Sequence, residues 1–194
     1  MGRVIRYLTH PQVVIDPGRD VRLWGLSAVG LARVEAFAGA VALEGTAHLI
    51  SSAETKAVET AGPLAAALGC DVVVRPAMHE NDRSSTGFLP PHEFERVADT
   101  FFAAPDTSVR GWETARAAQA RIVAEVTACI ALYPEGDVLF VGHGAVGTLL
   151  WCHLAGVGID RRHDQPAGGG NWFSFRDDDR RPDAGWRPME ALLP

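Results

Sequence analysis

The chain has 194 residues, of which 47% are apolar and 22% charged, with 18 Lys plus Arg against 24 Asp plus Glu for a formal net charge of −6. That length suits one domain whose core needs no metal or disulfide staple, and the composition is that of a globular chain rather than a disordered one. The negative balance, with the arginine stretches near Arg161 and Arg180 each interrupted by acids, argues against a nucleic-acid binder while leaving room for a local anion pocket.

In chain order, residues 3–9 (RVIRYLT) are β-branched and aromatic and predict a first strand. Residues 10–25 are a loop punctuated by Pro11, Pro17, Gly18 and Gly25. Ser27 is placed to cap a helix of about 17 residues, with Val29, Leu31, Val34, Phe37, Ala38 and Val41 at helical spacing. A second strand at 47–50 is followed by Ser51-Ser52 and a helix from Glu54 to Leu68, which Gly69 ends. A third strand covers 71–74. Residues 75–91 form a polar loop too long for a simple connector, and its GFLPPHEF run reads as a lid or a rigid connector. Helices follow at 92–103 and 112–132.

The run DVLFV at 137–141 is continuously apolar, as in a strand buried on both faces, and leads into Gly142-His143-Gly144 and a helix to Leu154. A glycine-rich stretch, Ala167 to Gly170, reads as a flexible rim before a strand at 171–176, with an edge strand around 186–190. Strand and helix alternate, which predicts a single three-layer α/β domain over residues 1–194, a mostly parallel sheet with helices on both faces. Cys70, Cys129 and Cys152 are odd in number and lack CxxC spacing, so buried thiols are expected rather than a disulfide framework or zinc site. The N-terminus lacks a signal-type apolar run, and no stretch reaches the ~20 apolar residues of a membrane span. The expectation is a cytoplasmic protein without membrane or nucleic-acid partners; the sequence assigns no oligomeric state.

Ligands of open α/β sheets bind at the carboxyl ends of strands. There the first strand delivers Thr9-His10-Pro11-Gln12, the second Ser51-Ser52 with Lys56 one turn on, and the strand 137–141 delivers Gly142-His143-Gly144. Two histidines and a cation thus gather where helix dipoles favour an anion. A lysine in a helix's first turn runs against the dipole's preference for acids, which itself points to an anionic partner. Trp24, Phe88 and Trp172 are candidate rim aromatics for an organic phosphate. No HExxH or comparable spacing occurs, and no metal or other cofactor is expected.

In this order and spacing the chain resembles the histidine phosphatase superfamily, the phosphoglycerate-mutase-like phosphatases. Their first strand ends in Arg-His-Gly, where RYLTHPQV stands here. Leu26, Ser27 and Gly30 match the Leu-Ser and Gly of the first helix. Ser51-Ser52-Ala53, Lys56-Ala57 and Thr60-Ala61 match Ser-Ser-Pro, Arg-Ala and Thr-Ala. Met78-His79-Glu80 takes the place of Leu-x-Glu, and Val141-Gly142-His143-Gly144 that of the strand before Ser/Gly-His-Gly. The resemblance implies the phosphoglycerate-mutase-like fold and a phosphomonoester hydrolase acting on a small organic phosphate. In it His10 is the nucleophile that becomes phosphohistidine, His143 stabilises the phosphoryl oxygens, and Glu80 is proton donor and acceptor. Thr9, Gln12, Lys56 and Gly144 then line the phosphate and substrate site.

Three departures from the pattern favour an alternative, a catalytically impaired phospho-ligand-binding or regulatory protein of the same fold. The arginine before the nucleophile is Thr9, and the residue after it is Pro11, which has no N–H to donate. The second arginine is Lys56, a point charge without the guanidinium fork. Arg19, Arg22, Arg83, Arg161 and Arg162 are the candidates to compensate, and Asp82 is an alternative to Glu80.

Overall fold

The structure, a computed structural model, describes residues 2–192. Six strands form one sheet in the order β3-β2-β4-β1-β5-β6: β1 Val4–Thr9, β2 Thr46–Ser52, β3 Val72–Arg75, β4 Asp137–Gly142, β5 Asn171–Arg176 and β6 Arg187–Pro188. β1, β2, β3 and β4 are mutually parallel, while β5 pairs antiparallel with β1, and β6 with β5. Helices α1 (Ala28–Ala38) and α2 (Thr55–Leu68) cover one face; α3 (Pro91–Ala103), α4 (Ala115–Leu132) and α5 (Gly144–Ala155) cover the other. The single α/β domain expected from the alternation of elements is what forms.

Strand alternation divides the core. Ile5, Tyr7, Phe140, Phe173 and Phe175 face α3–α5, whereas Leu8, Leu49, Leu139 and Val141 face α1 and α2. Both faces of β4 are thereby buried, and each large side chain removed from water contributes about 1.5–3 kcal/mol.

Several boundaries differ from the sequence reading. α1 is 11 residues rather than about 17: Gly39 ends it, and Val41–Leu43 continues only as a 3-10 turn. Its core face is Gly30, Val34 and Phe37, while Val29, Leu31 and Val41 are exposed. β2 runs through Ser51 and Ser52, which the sequence placed after the strand. Cys129 and Cys152 are buried, but Cys70 is only partly so. Trp172, a candidate rim residue, is 6% exposed and packs in the core beneath α1 and α2. Among the described residues no helix is long and apolar enough to cross a membrane.

Register positions the site. Thr9 stands opposite Gly142, and Ser51 opposite Val141, so the next residue of each strand reaches the same sheet edge. His10, Ser52 and His143 therefore emerge side by side, although 42 and 91 residues separate them in sequence.

Candidate active site

His10 follows directly on β1, and its backbone is clamped on both sides: its N–H donates to Gly142 O (3.0 Å) and its carbonyl accepts from Gly170 N–H (3.0 Å). The glycine stretch 168–170 is thus a close-packed wall against His10 rather than a flexible rim. All three glycines have positive φ (96°, 63° and 65°), and a Cβ on Gly169 would lie 2.3 Å from the His10 carbonyl oxygen. His10 Nδ1 lies 2.8 Å from the Pro11 carbonyl. A carbonyl only accepts, so Nδ1 carries the proton and Nε2 keeps a free lone pair. Burial lowers the His10 imidazole to about 4 against the opposing Pro11 bond, and it is neutral near pH 7.

His143 is fully buried, its ring centroid 5.3 Å from that of His10. Tyr7, unremarked in the sequence, holds its backbone: the hydroxyl donates to His143 O (3.2 Å) and accepts from His143 N–H (3.1 Å). On the ring, Nε2 is 2.8 Å from Ser52 Oγ, which accepts from Glu54 N–H (3.3 Å) and has its own proton to donate. With Nε2 taken as the acceptor of the Ser52 proton, the His143 proton stands on Nδ1, a buried atom with no partner. Burial again lowers this imidazole well below its ordinary range. In that tautomer the site presents a neutral nucleophilic nitrogen on His10 beside an unpartnered N–H on His143.

Glu80 lies across the N-terminus of α5. Its Oε1 accepts from Val146 N–H and Asn81 N–H (both 3.0 Å), and Oε2 accepts from Ala145 N–H (3.2 Å). Burial raises the Glu80 carboxyl, with Arg83 and the amides opposing. Oε1 has both lone pairs occupied, so a proton on Glu80 belongs on Oε2. Asp82, the alternative acid, accepts from Ser84 N–H (2.9 Å) and is held below the usual range by Ser84, which suits an acceptor and not a proton donor.

Lys56 is 4% exposed and is not a free cation. Its ammonium donates to Val21 O (2.8 Å) and contacts the Glu54 carboxylate. Glu54 was not among the residues singled out from sequence. Its carboxylate contacts Lys56, accepts from Glu80 N–H (2.9 Å) and stands 3.6 Å from His143 Nε2. Burial opposes its ionised form, but the charges around it, the Lys56 ammonium among them, outweigh that cost and keep it below the ordinary carboxylate range.

The Thr9 side chain, expected to line the phosphate site, is fully buried and bonded within the protein. Its hydroxyl donates to Gln165 Oε1 (2.7 Å) and accepts from Asn171 N–H (3.0 Å), tying β1 to the β5 side. Gln12 is likewise engaged elsewhere, accepting from Arg33 (2.9 Å). Gly144 stands against Gln165, whose amide nitrogen lies 2.3 Å from where a Cβ would be, so a larger residue there would push the Gln165 side chain aside. Glu113 is bonded to Arg121 (2.7 Å) and to Asp82 N–H (3.1 Å), a brace for the 80–88 loop.

Glu54 and Glu80 open onto a cavity of about 940 Å³, walled by Pro17–Leu23 on one side and by His79–Ser84 and Thr86–Phe88 on the other. Trp24 lies against Phe88 of that wall, the two rings tilted by 52° with centroids 5.8 Å apart. Of the candidate arginines, Arg161 is paired with Glu95 and Asp99, Arg162 with Asp160, and Arg22 with Asp20. Arg83 lines the cavity with its guanidinium 4.8 Å over the Phe94 ring and no acidic partner among the described residues. Its charge acts on Glu80, His10 and His143 alike. Among the described residues no three His, Cys, Asp or Glu side chains are grouped to hold a metal.

The sequence model of the histidine phosphatase superfamily (branch 1) matches residues 14–184. The chain belongs to that superfamily. The matched span begins just beyond His10. Among solved structures, the chain is similar to mycobacterial glucosyl-3-phosphoglycerate phosphatase in complex with inorganic phosphate, with TM-score 0.75, 19% identity, and 95% of this chain and 94% of that one covered. It is also similar to phosphoserine phosphatase from Entamoeba histolytica, with TM-score 0.75, 16% identity, and 98% and 100% covered. At these identities the likeness shows the shared fold. No curated protein matches this histidine phosphatase superfamily member in sequence.

Proposed function

We propose that this superfamily member is a phosphomonoesterase that hydrolyses a small organic phosphate through a phosphohistidine at His10. The observation that carries the reading is the complementary pair of imidazoles, His10 with its Nε2 lone pair open and His143 with a buried, unpartnered Nδ1. In the first step His10 Nε2 attacks phosphorus, the ester P–O bond breaks, and Glu80 gives its Oε2 proton to the leaving oxygen. His143 Nδ1–H and Arg83 stabilise charge on the phosphoryl oxygens. Water then attacks phosphorus, the P–N bond breaks, Glu80 takes up the water proton, and phosphate leaves. Each role is filled by a side chain, so the reading requires no metal; a cytoplasmic location, expected from the sequence, is part of the same proposal. The neighbours that bind inorganic phosphate or 3-phosphoglyceric acid support a small phosphorylated substrate.

A second reading, a phospho-ligand-binding protein without turnover, is favoured by the commitment of Lys56 to Glu54 and by Thr9 facing Gln165. Hydrolysis of an aryl phosphate in the presence of chelator, with His10→Ala alongside, decides between them. The expected result is turnover that disappears in the variant. Equal rates in both proteins, or none in either, refute the enzyme reading for this substrate class.

A further inference from the structure

The mechanism above uses no side chain from the stretch between α5 and β5, yet one of them reaches the catalytic pair. The antiparallel pairing of β5 with β1 brings residues 165–171 back to the sheet edge that carries His10 and His143. Gln165 is anchored there at its backbone. Its N–H donates to Asp164 Oδ1 (2.8 Å), which also accepts from the Thr148 hydroxyl of α5 (2.9 Å).

The side-chain amide of Gln165 has one orientation. The Pro166 carbonyl only accepts, so the Asn171 atom 3.0 Å from it is the Nδ2 donor. The Gln165 atom 3.2 Å from that same Nδ2 is then an acceptor, Oε1, and it also receives the Thr9 hydroxyl (2.7 Å). Asn171 and Thr9 are both buried, so this end of the amide is locked in the interior. The other end, Nε2, is turned the opposite way, to where a Cβ on Gly144 would meet it, and has no hydrogen-bond partner among the described residues.

Gln165 thus spans the residue before His10 and the residue after His143, each about 3.8 Å along the chain from its histidine. The two imidazoles themselves stand 5.3 Å apart. The amide is held at its acceptor end and unspent at its donor end. Its rotamer freedom is already lost in the free protein, so donating to a bound anion carries little further ordering cost.

We propose that Gln165 is a further phosphoryl-binding residue, its Nε2 donating to an oxygen of the group bound between His10 and His143, and that Thr9 is the positioning residue that aims it. The inference rests on the phosphatase reading and adds a neutral donor to His143 and Arg83. Thr9 serves the site at one remove, through the amide it orients.

Calorimetric titration with inorganic phosphate, with Tm and aryl-phosphate kinetics alongside, compares wild type with Gln165→Glu and Gln165→Leu. Glutamate keeps an acceptor for Thr9 and Asn171 but replaces the N–H pair by a carboxylate oxygen, whereas leucine removes both ends. If Gln165 only ties β1 to β5, leucine is the more damaging change; if it binds the phosphoryl group, glutamate is. Phosphate affinity is expected to be about tenfold lower in Gln165→Leu and at least about 100-fold lower in Gln165→Glu. Thr9→Val is expected to weaken phosphate binding and raise KM, and Thr9→Ser, which keeps the hydroxyl, to restore both.

A Gln165→Glu protein that binds phosphate as wild type does overturns the proposal, and so does one that binds it more tightly than Gln165→Leu. If Gln165→Glu does not fold, unchanged phosphate affinity in Gln165→Leu overturns it alone. Should wild type hydrolyse an aryl phosphate in a His10-dependent way while both Gln165 variants keep its phosphate affinity, only the Gln165 assignment falls. If wild type neither binds phosphate nor turns over, the phosphatase reading falls with it.

Discussion

Replacing Ser52 by alanine tests the tautomer argument on which the active site depends. Ser52 is fully buried, and its hydroxyl is the group 2.8 Å from His143 Nε2. Without it the nearest remaining acceptor is Glu54 Oε1, 3.6 Å from the same nitrogen. A carboxylate there draws the imidazole proton from Nδ1 to Nε2, so that Nδ1 turns a lone pair, rather than an N–H, toward the phosphoryl oxygens.

Loss of one such donor to developing oxyanion charge is worth about 10²–10³ in kcat. The folded state loses a hydrogen bond between buried groups and leaves His143 Nε2 and the Glu54 N–H poorly satisfied, at about 1–3 kcal/mol. The variant should therefore fold, with Tm lower by several degrees, and keep KM for an aryl phosphate within a few-fold while kcat collapses. Steady-state kinetics with ¹⁵N spectra of the two histidines reads both effects. A kcat within threefold of wild type, with the proton still on His143 Nδ1, would show that Ser52 does not set the tautomer.

Arg83→Ala should raise KM for an aryl phosphate by about tenfold with a smaller effect on kcat, since its guanidinium is held by the Phe94 ring and has no acidic partner to leave stranded. A KM unchanged in steady-state assays would remove Arg83 as the substitute clamp. Acid stability carries a second signature. His10 is protonated below pH ~6.5 when unfolded but only below about 4 in the fold, so in that window unfolding takes up a proton and stability falls as pH drops. The full contribution, reached above the unfolded value, is about 3 kcal/mol at most. Thermal melts from about pH 4.5 to 7 should show a steeper decline in wild type than in His10→Ala; parallel curves would mean His10 is not held neutral.

The alternation of apolar strands with capped helices determined the α/β class, because DVLFV can be buried on both faces only in a sheet covered on both sides. That His10 and His143 meet at one sheet edge was legible for a related reason, since each directly follows a parallel strand and parallel strands end at one edge. What they do there was not legible. Whether a ring nitrogen is donor or acceptor depends on partners such as Pro11 O, Ser52 and Tyr7, and those pairings are set by register and by backbone path. The same holds for the wall of Gly168–Gly170, whose closeness to His10 follows from the antiparallel addition of β5. Thr9 marks a residue type that sequence assigns to a ligand and the fold spends on Gln165 and Asn171. Lys56 and Glu54 are the sharpest case. The local sequence offers a free cation in a helix's first turn, and tertiary structure cancels it, because a buried ammonium requires a nearby carboxylate and α2 supplies one two residues earlier.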